Sequence, residues 1–153
     1  MNETTPDQMA ELEMEFSREQ KGPGSLSPHL ANGKQDSYVG YDIHPEDIET
    51  IFFEGIGVPR WESITADSFA QQEALYMGQY NEVMSKFPVI GRSNDTFQSV
   101  AYSAEEVVQL LEECEGIQNA VSDAKVIRAL QKFVIAGKKA AAENVGLDLN
   151  PRQ

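Results

Sequence analysis

The chain has 153 residues, 41% hydrophobic and 24% charged, enough to build a single packed core and too apolar for a disordered chain. Twelve Lys and Arg against 25 Asp and Glu give a formal net charge of −13, which repels phosphate backbones and anionic membranes and argues against direct nucleic-acid binding. No apolar run reaches the roughly 18 residues of a membrane span, no signal peptide is expected, and a single cysteine, Cys114, fits a reducing cytoplasm.

Thr5-Pro6-Asp7-Gln8 reads as a helix start, with Thr5 as cap, Pro6 at the first helical position and Gln8 completing a capping box. The helix is expected to run to about Lys21, with Met9, Leu12 and Phe16 on one thin apolar stripe and Glu11, Glu15 and Glu19 on another face. From Lys21 to Asp36, Gly, Pro and Ser dominate without hydrophobic periodicity, which reads as a flexible linker. The expected organisation is therefore a flexible acidic arm over residues 1–36 with an amphipathic helix, followed by a compact helical domain over residues 37–153.

Tyr38 to Ile43 reads as a short strand or an extended entry segment. His44-Pro45-Glu46-Asp47 then begins a short helix, with Ile43 and Ile48 placed as a hydrophobic staple and Gly55 as its stop. After the loop from Gly55 to Trp61, Thr65 or Asp67 caps a helix that continues to about Phe87, where Pro88 ends it. Its aromatic stripe of Phe69, Tyr76, Tyr80, Val83 and Phe87 marks it as the expected central helix.

Thr96 to Tyr102 is a weak strand or an irregular link. Ser103-Ala104-Glu105-Glu106 is a capping box opening a helix with Val107, Leu110, Leu111 and Cys114 on its apolar face and Gly116 as terminator. Ser122 is the expected cap of the last helix, whose apolar face is Val126, Ile127, Leu130, Phe133, Val134 and Ala141 and which ends near Gly146. The short link between these two helices predicts an antiparallel hairpin. The fold class is thus mainly α: a single-domain bundle of about four helices, with at most one short strand pair and a flexible N-terminal arm.

Charge is unevenly placed. Asp36 to Glu115 holds sixteen acidic and three basic residues, whereas Gly116 to Gln153 holds three acidic and six basic ones. Lys125, Arg128, Lys132 and Lys139 fall along one side of the last helix, where packing beside acidic helices is the simplest expectation.

Little in the chain points to catalysis. One cysteine and two separated histidines do not make a structural zinc site. The acids around Asp42, His44, Glu46, Asp47 and Glu49 lack the glycine-turned loop of a calcium site and read as helix-start residues. Cys114, between Glu113 and Glu115, is a small core residue and not an activated thiolate. Gly55-Ile56-Gly57 is only a fragment of a phosphate-binding loop, and neither a Gly-x-Ser-x-Gly elbow nor a His-Glu-x-x-His helix occurs. No cofactor is expected.

The expectation is a non-enzymatic binding module, an acidic inhibitor or immunity-type protein that takes a basic protein partner. The residues assigned to that contact are Trp61 with Arg60, a pairing enriched in interface hot spots, and the acids Glu105, Glu106, Glu112 and Glu113. Trp61 has an alternative role as a cap on the core. An adaptor docking through the Met9, Leu12 and Phe16 stripe is the second reading, and a carboxylate-dependent enzyme the third.

Overall fold

The computed structural model describes residues 5–153 and shows a mainly helical protein with one three-stranded antiparallel sheet. The first four residues of the expected arm lie outside the described residues.

Helix α1 (Pro6–Ser17) opens with both halves of the capping box: Gln8 N donates to Thr5 Oγ1 at 3.2 Å, and Thr5 N donates to Gln8 Oε1 at 2.9 Å. It ends short of Lys21, and it is docked. Phe16 is 1% exposed with its ring 5.4 Å from that of Tyr41, and Met9 and Leu12 pack against the core.

The stretch expected as a linker is the main correction. Leu26–Ala31 forms strand β1, and Leu26, Tyr41 and Ile43 are wholly buried. Tyr38 to Ile43 lies along one edge of β1, with Leu26 N donating to Ile43 O at 2.8 Å and Val39 N to Pro28 O at 3.1 Å. On the other edge β1 pairs with the strand Gly146–Pro151, Leu26 opposite Pro151 and Leu30 opposite Leu147. The packed part of the chain therefore begins well before Ser37. A segment with only two leucines among Ser, Pro and His becomes a strand because partners remote in sequence satisfy its backbone on both sides.

The sheet also exceeds the single strand pair expected. Strand β2 (Val100–Tyr102) pairs with the opposite edge of Gly146–Pro151, which becomes β3, so the spatial order is β1-β3-β2. Leu147 and Leu149 alternate inward from β3 and are fully buried. Gly146 faces the β2 backbone so closely that a Cβ there would overlap the Tyr102 carbonyl oxygen.

Helix α2 (Pro45–Glu49) starts as expected, with Pro45 at its first position and Ile43 and Ile48 buried at its entry. It runs on through a π-helical turn, Thr50–Ile56, so Gly55 is not its stop. The stop is Gly57, at φ +89°, a conformation that costs glycine little. Gly55 has another role: a Cβ there would lie 2.9 Å from Val126 Cγ1, so the bare backbone lets this turn approach the last helix.

Helix α3 (Phe69–Met84) is capped by Ser68, whose Oγ accepts from Gln71 N at 3.1 Å, and not by Thr65 or Asp67. It is not the central helix, since none of its residues is buried and Phe69 is 68% exposed. The aromatic stripe is real, but Phe69 and Tyr76 pack on Trp61, and only Tyr80, Val83 and Phe87 towards its end pack partly against the core.

The central position belongs to the last helix. Helix α4 (Ala104–Ala120) begins at the Ser103–Glu106 capping box and passes through Gly116 without stopping. Helix α5 (Ala124–Glu143) is capped by Asp123 in place of Ser122 and is closed by Asn144 in the left-handed conformation, φ 59°. Val126, Ala129, Leu130, Phe133, Ala136 and Ala140 bury one face of α5 against α4, the π-helical turn and the sheet. Small residues explain why α5 occupies the centre: at Gly137 a Cβ would come within 2.9 Å of Leu111 on α4. Among the described residues, no helix is long and apolar enough to cross a membrane.

Candidate functional site

The residues assigned to partner binding fall in two places. Arg60 and Trp61 stand at the start of a short 3-10 turn, Trp61–Ser63, leading into α3. Arg60 is exposed, with its guanidinium 4.2 Å from the Phe53 ring centroid. Trp61 is half-buried against α3, its ring 5.5 Å from that of Phe69 and 5.6 Å from that of Tyr76, and Tyr76 continues the row to Tyr80 at 5.9 Å. Trp61 thus packs on exposed Phe69 and half-buried Tyr76 and is not one of the residues of the core cluster.

The four acids lie on α4 with different fates. Glu105 and Glu112 are exposed and line an open groove of about 510 Å³, together with Val108 (53% exposed), Phe87 and Lys86. Glu106 is engaged locally: its carboxylate accepts from Ser103 N at 2.9 Å and from Arg92 Nη1 at 2.7 Å. The Ser103 backbone bond first, then the Arg92 guanidinium, holds its carboxyl below the ordinary range.

Glu113 turns inward and is unsuited to a surface contact. It is 9% exposed, and its carboxylate accepts from Ile90 N at 2.9 Å and from Val89 N at 3.2 Å. It thereby satisfies the opening N–H groups of the 3-10 turn Ile90–Asn94. Helical phase explains the difference, because Glu113 is three residues from buried Leu110 and four from buried Ile117.

The basic stripe of α5 is largely taken up by α1 and the residues just beyond it. Lys132, 1% exposed, donates to Glu19 Oε1 at 2.6 Å and to Asp47 Oδ2 at 2.7 Å. Arg128 reaches Glu19 at 2.9 Å and Glu15 at 3.3 Å, and Lys139 pairs with Glu13. Burial pushes the Glu19 carboxyl up, but Lys132 and Arg128 outweigh it and hold that carboxyl below its ordinary value. Sequence spacing locates the bases but not these partners, most of which are more than a hundred residues away.

A second buried charge lies where Ser27 of β1 and Arg152, just beyond β3, meet. The Asp42 side chain is fully out of solvent and accepts from Arg152 at 2.5 and 3.0 Å, from Tyr38 Oη at 2.7 Å and from Ser27 Oγ at 3.1 Å. Burial raises its carboxyl, and the Arg152 guanidinium with the two hydroxyls more than reverses this. Burial and the Asp42 carboxylate together push the Tyr38 phenol up.

These buried acids act as anchors. Asp42 and Glu113 have their oxygens filled by donors of this chain. Cys114 is fully buried, and burial, then the neighbouring Glu113, pushes its thiol up, away from the reactive thiolate. Among the described residues, no group of three or more His, Cys, Asp or Glu side chains is placed to hold a metal ion.

Comparison with protein-family models, curated proteins and solved structures finds no match to this chain.

Proposed function

We propose that this protein is a non-enzymatic binding module that takes a basic protein partner, as an acidic inhibitor or immunity-type protein does, in the reducing cytoplasm. The observation that carries the reading is the sorting of charge. Arg92, Arg128, Lys132, Lys139 and Arg152 are paired with acids of the same chain, while Glu54, Glu62, Glu73, Glu82, Glu105 and Glu112 stand exposed. These five bases are thus neutralised by acids of the same chain, and the exposed carboxylates dominate the remaining field, which steers in a cationic partner.

The test is affinity capture from the native host at low salt, followed by titration of the captured protein at about 0.5 M salt, where exposed charges are strongly screened. A basic protein that binds at low salt and weakens steeply at high salt supports the reading. Capture of neutral or acidic proteins alone overturns it.

The adaptor reading moves from α1 to α3. Phe16 is buried, and Met9 and Leu12 pack on the core, so the α1 stripe is committed within the molecule. Helix α3 instead leaves Phe69, Leu75 and Met77 in solvent, at 68%, 43% and 43% exposure.

A further inference from the structure

We propose that Asn32 is a site of spontaneous covalent modification: its side-chain amide is lost through attack by the Gly33 nitrogen, and the carboxylate that replaces it is set against Glu143. Asn32 is the only asparagine of the chain followed by glycine. The pair lies in the turn that joins β1 to the segment along its edge, where Leu30 N donates to Ser37 O at 2.9 Å.

Three features of this turn favour the reaction. Asn32 is half-buried and Gly33 is exposed, so water reaches both. The Gly33 nitrogen has no Cβ beside it, and open space surrounds the place where one would stand. Among the described residues its N–H donates to no acceptor of the chain, which leaves the nitrogen available as a nucleophile. Finally, Asn32 Oδ1 accepts from Lys34 N at 3.0 Å. That bond closes the side chain around Gly33 and draws electron density from Asn32 Cγ, the atom to be attacked.

In the reaction the deprotonated Gly33 nitrogen forms a bond to Asn32 Cγ, the Cγ–Nδ2 bond breaks, and ammonia leaves with the proton. Water then opens the cyclic imide at either carbonyl, giving aspartate or isoaspartate at position 32. Nothing is oxidised or reduced, and water is the only co-reactant.

The structure gives the change a consequence. Asn32 Nδ2 donates to Glu143 Oε1 at 3.1 Å, which ties the turn to the last residue of α5, 111 positions away. Loss of ammonia exchanges that donor for a carboxylate, and two like charges then face each other. Isoaspartate also lengthens the backbone beside Ala31, the residue of β1 that pairs with Gly146 of β3. The modification therefore loosens the tie between the β1 turn and α5 as the protein ages.

The experiment incubates the folded full chain at neutral and mildly alkaline pH and follows every asparagine by peptide mass spectrometry with detection of isoaspartate. The expected result is loss of the Asn32 amide ahead of all other asparagines, faster at the higher pH, with both acid products formed there. Gly33→Ala should slow it several-fold, because the added methyl crowds the attacking nitrogen. Asn32→Asp should lower the urea midpoint, and the loss should shrink in the Glu143→Gln background, where no like charge opposes the new carboxylate.

Conversion of another asparagine ahead of Asn32, or conversion of Asn32 only after unfolding in urea, overturns the assignment of the site. Equal losses from Asn32→Asp with and without Glu143→Gln overturn the assigned consequence. Conversion is read on the wild-type chain, so the site is tested without requiring any variant to fold.

Discussion

The Lys132 ammonium lies 2.6 Å from the Glu19 carboxylate, joining α5 to the segment just beyond α1 across 113 positions of sequence, at 1% exposure of the lysine. A cation so placed is tolerable only because Glu19 and Asp47 both face it. The double variant Glu19→Ala, Asp47→Ala is expected to lose on the order of 3–5 kcal/mol, because it strands a buried charge. Adding Lys132→Met to that background should restore part of the loss, since an apolar chain of similar length fills the site without needing a counter-ion. Urea unfolding of the three proteins checks both steps, and no recovery on adding Lys132→Met would mean that the charge is not what the site must accommodate.

Asp42 gives a pH dependence of known sign. Its folded carboxyl titrates below the ordinary value of 3.8, so on acidification the unfolded chain takes up the proton first. The contribution is fully present above about pH 5 and is lost as pH falls through the folded value, below about pH 4. Neutralising the many exposed acids relieves self-repulsion over the same range, so the useful quantity is the difference between wild type and Asp42→Asn. That gap in urea midpoint should hold from about pH 7 to about pH 5 and shrink towards about pH 3. A gap that grows on acidification would contradict the Arg152 pairing.

The α4 acids separate stability from binding. Glu113→Ala leaves the Val89 and Ile90 N–H groups without their acceptor and should cost about 1–3 kcal/mol. Glu105→Ala and Glu112→Ala, on exposed side chains, should stay within about 0.5 kcal/mol of wild type. The latter two should slow association with a cationic peptide, most clearly at low salt. Thermal melts and stopped-flow association distinguish the two classes.

Gly146→Ala tests the seam between β2 and β3. The added methyl would meet the Tyr102 carbonyl oxygen, part of a paired backbone that has little freedom to give way. The expected cost is about 1–3 kcal/mol or more, with faster amide exchange at Ala101 and Tyr102. Exchange rates equal to those of the wild type would show that the strands have room.

The helices are legible in the sequence where local chemistry alone determines them. The capping boxes at Thr5 and Ser103, Pro45 at the first position of α2 and the apolar spacing of α5 all depend on neighbours within one turn or on one face. Strand β1 is not legible, because Leu26 to Ala31 becomes extended through partners at residues 37–43 and 146–151. A signal for β3 is present in the alternation of Leu147 and Leu149 just after Gly146, but that glycine also has the character of a helix terminator, which masks the strand. The aromatic period of α3 is helical, as expected, but period does not say which face is covered. Within the candidate site, Glu112 and Glu113 are chemically identical in sequence. Only their phase relative to Leu110 and Ile117 separates the exposed carboxylate from the buried one.

The middle place of β3 in the sheet has a consequence for how the molecule is made. β1 and β2 both hydrogen-bond to residues 146–151, and the two flanking strands do not pair with each other. While the chain emerges from the ribosome, residues 37–43 are soon available to line one edge of β1, but its other edge waits for more than a hundred further residues before β3 exists. Contacts this distant in sequence slow the search for the folded state. The sheet can therefore close only after the helices it packs on have been synthesised, when β3 becomes available to join β1 to β2.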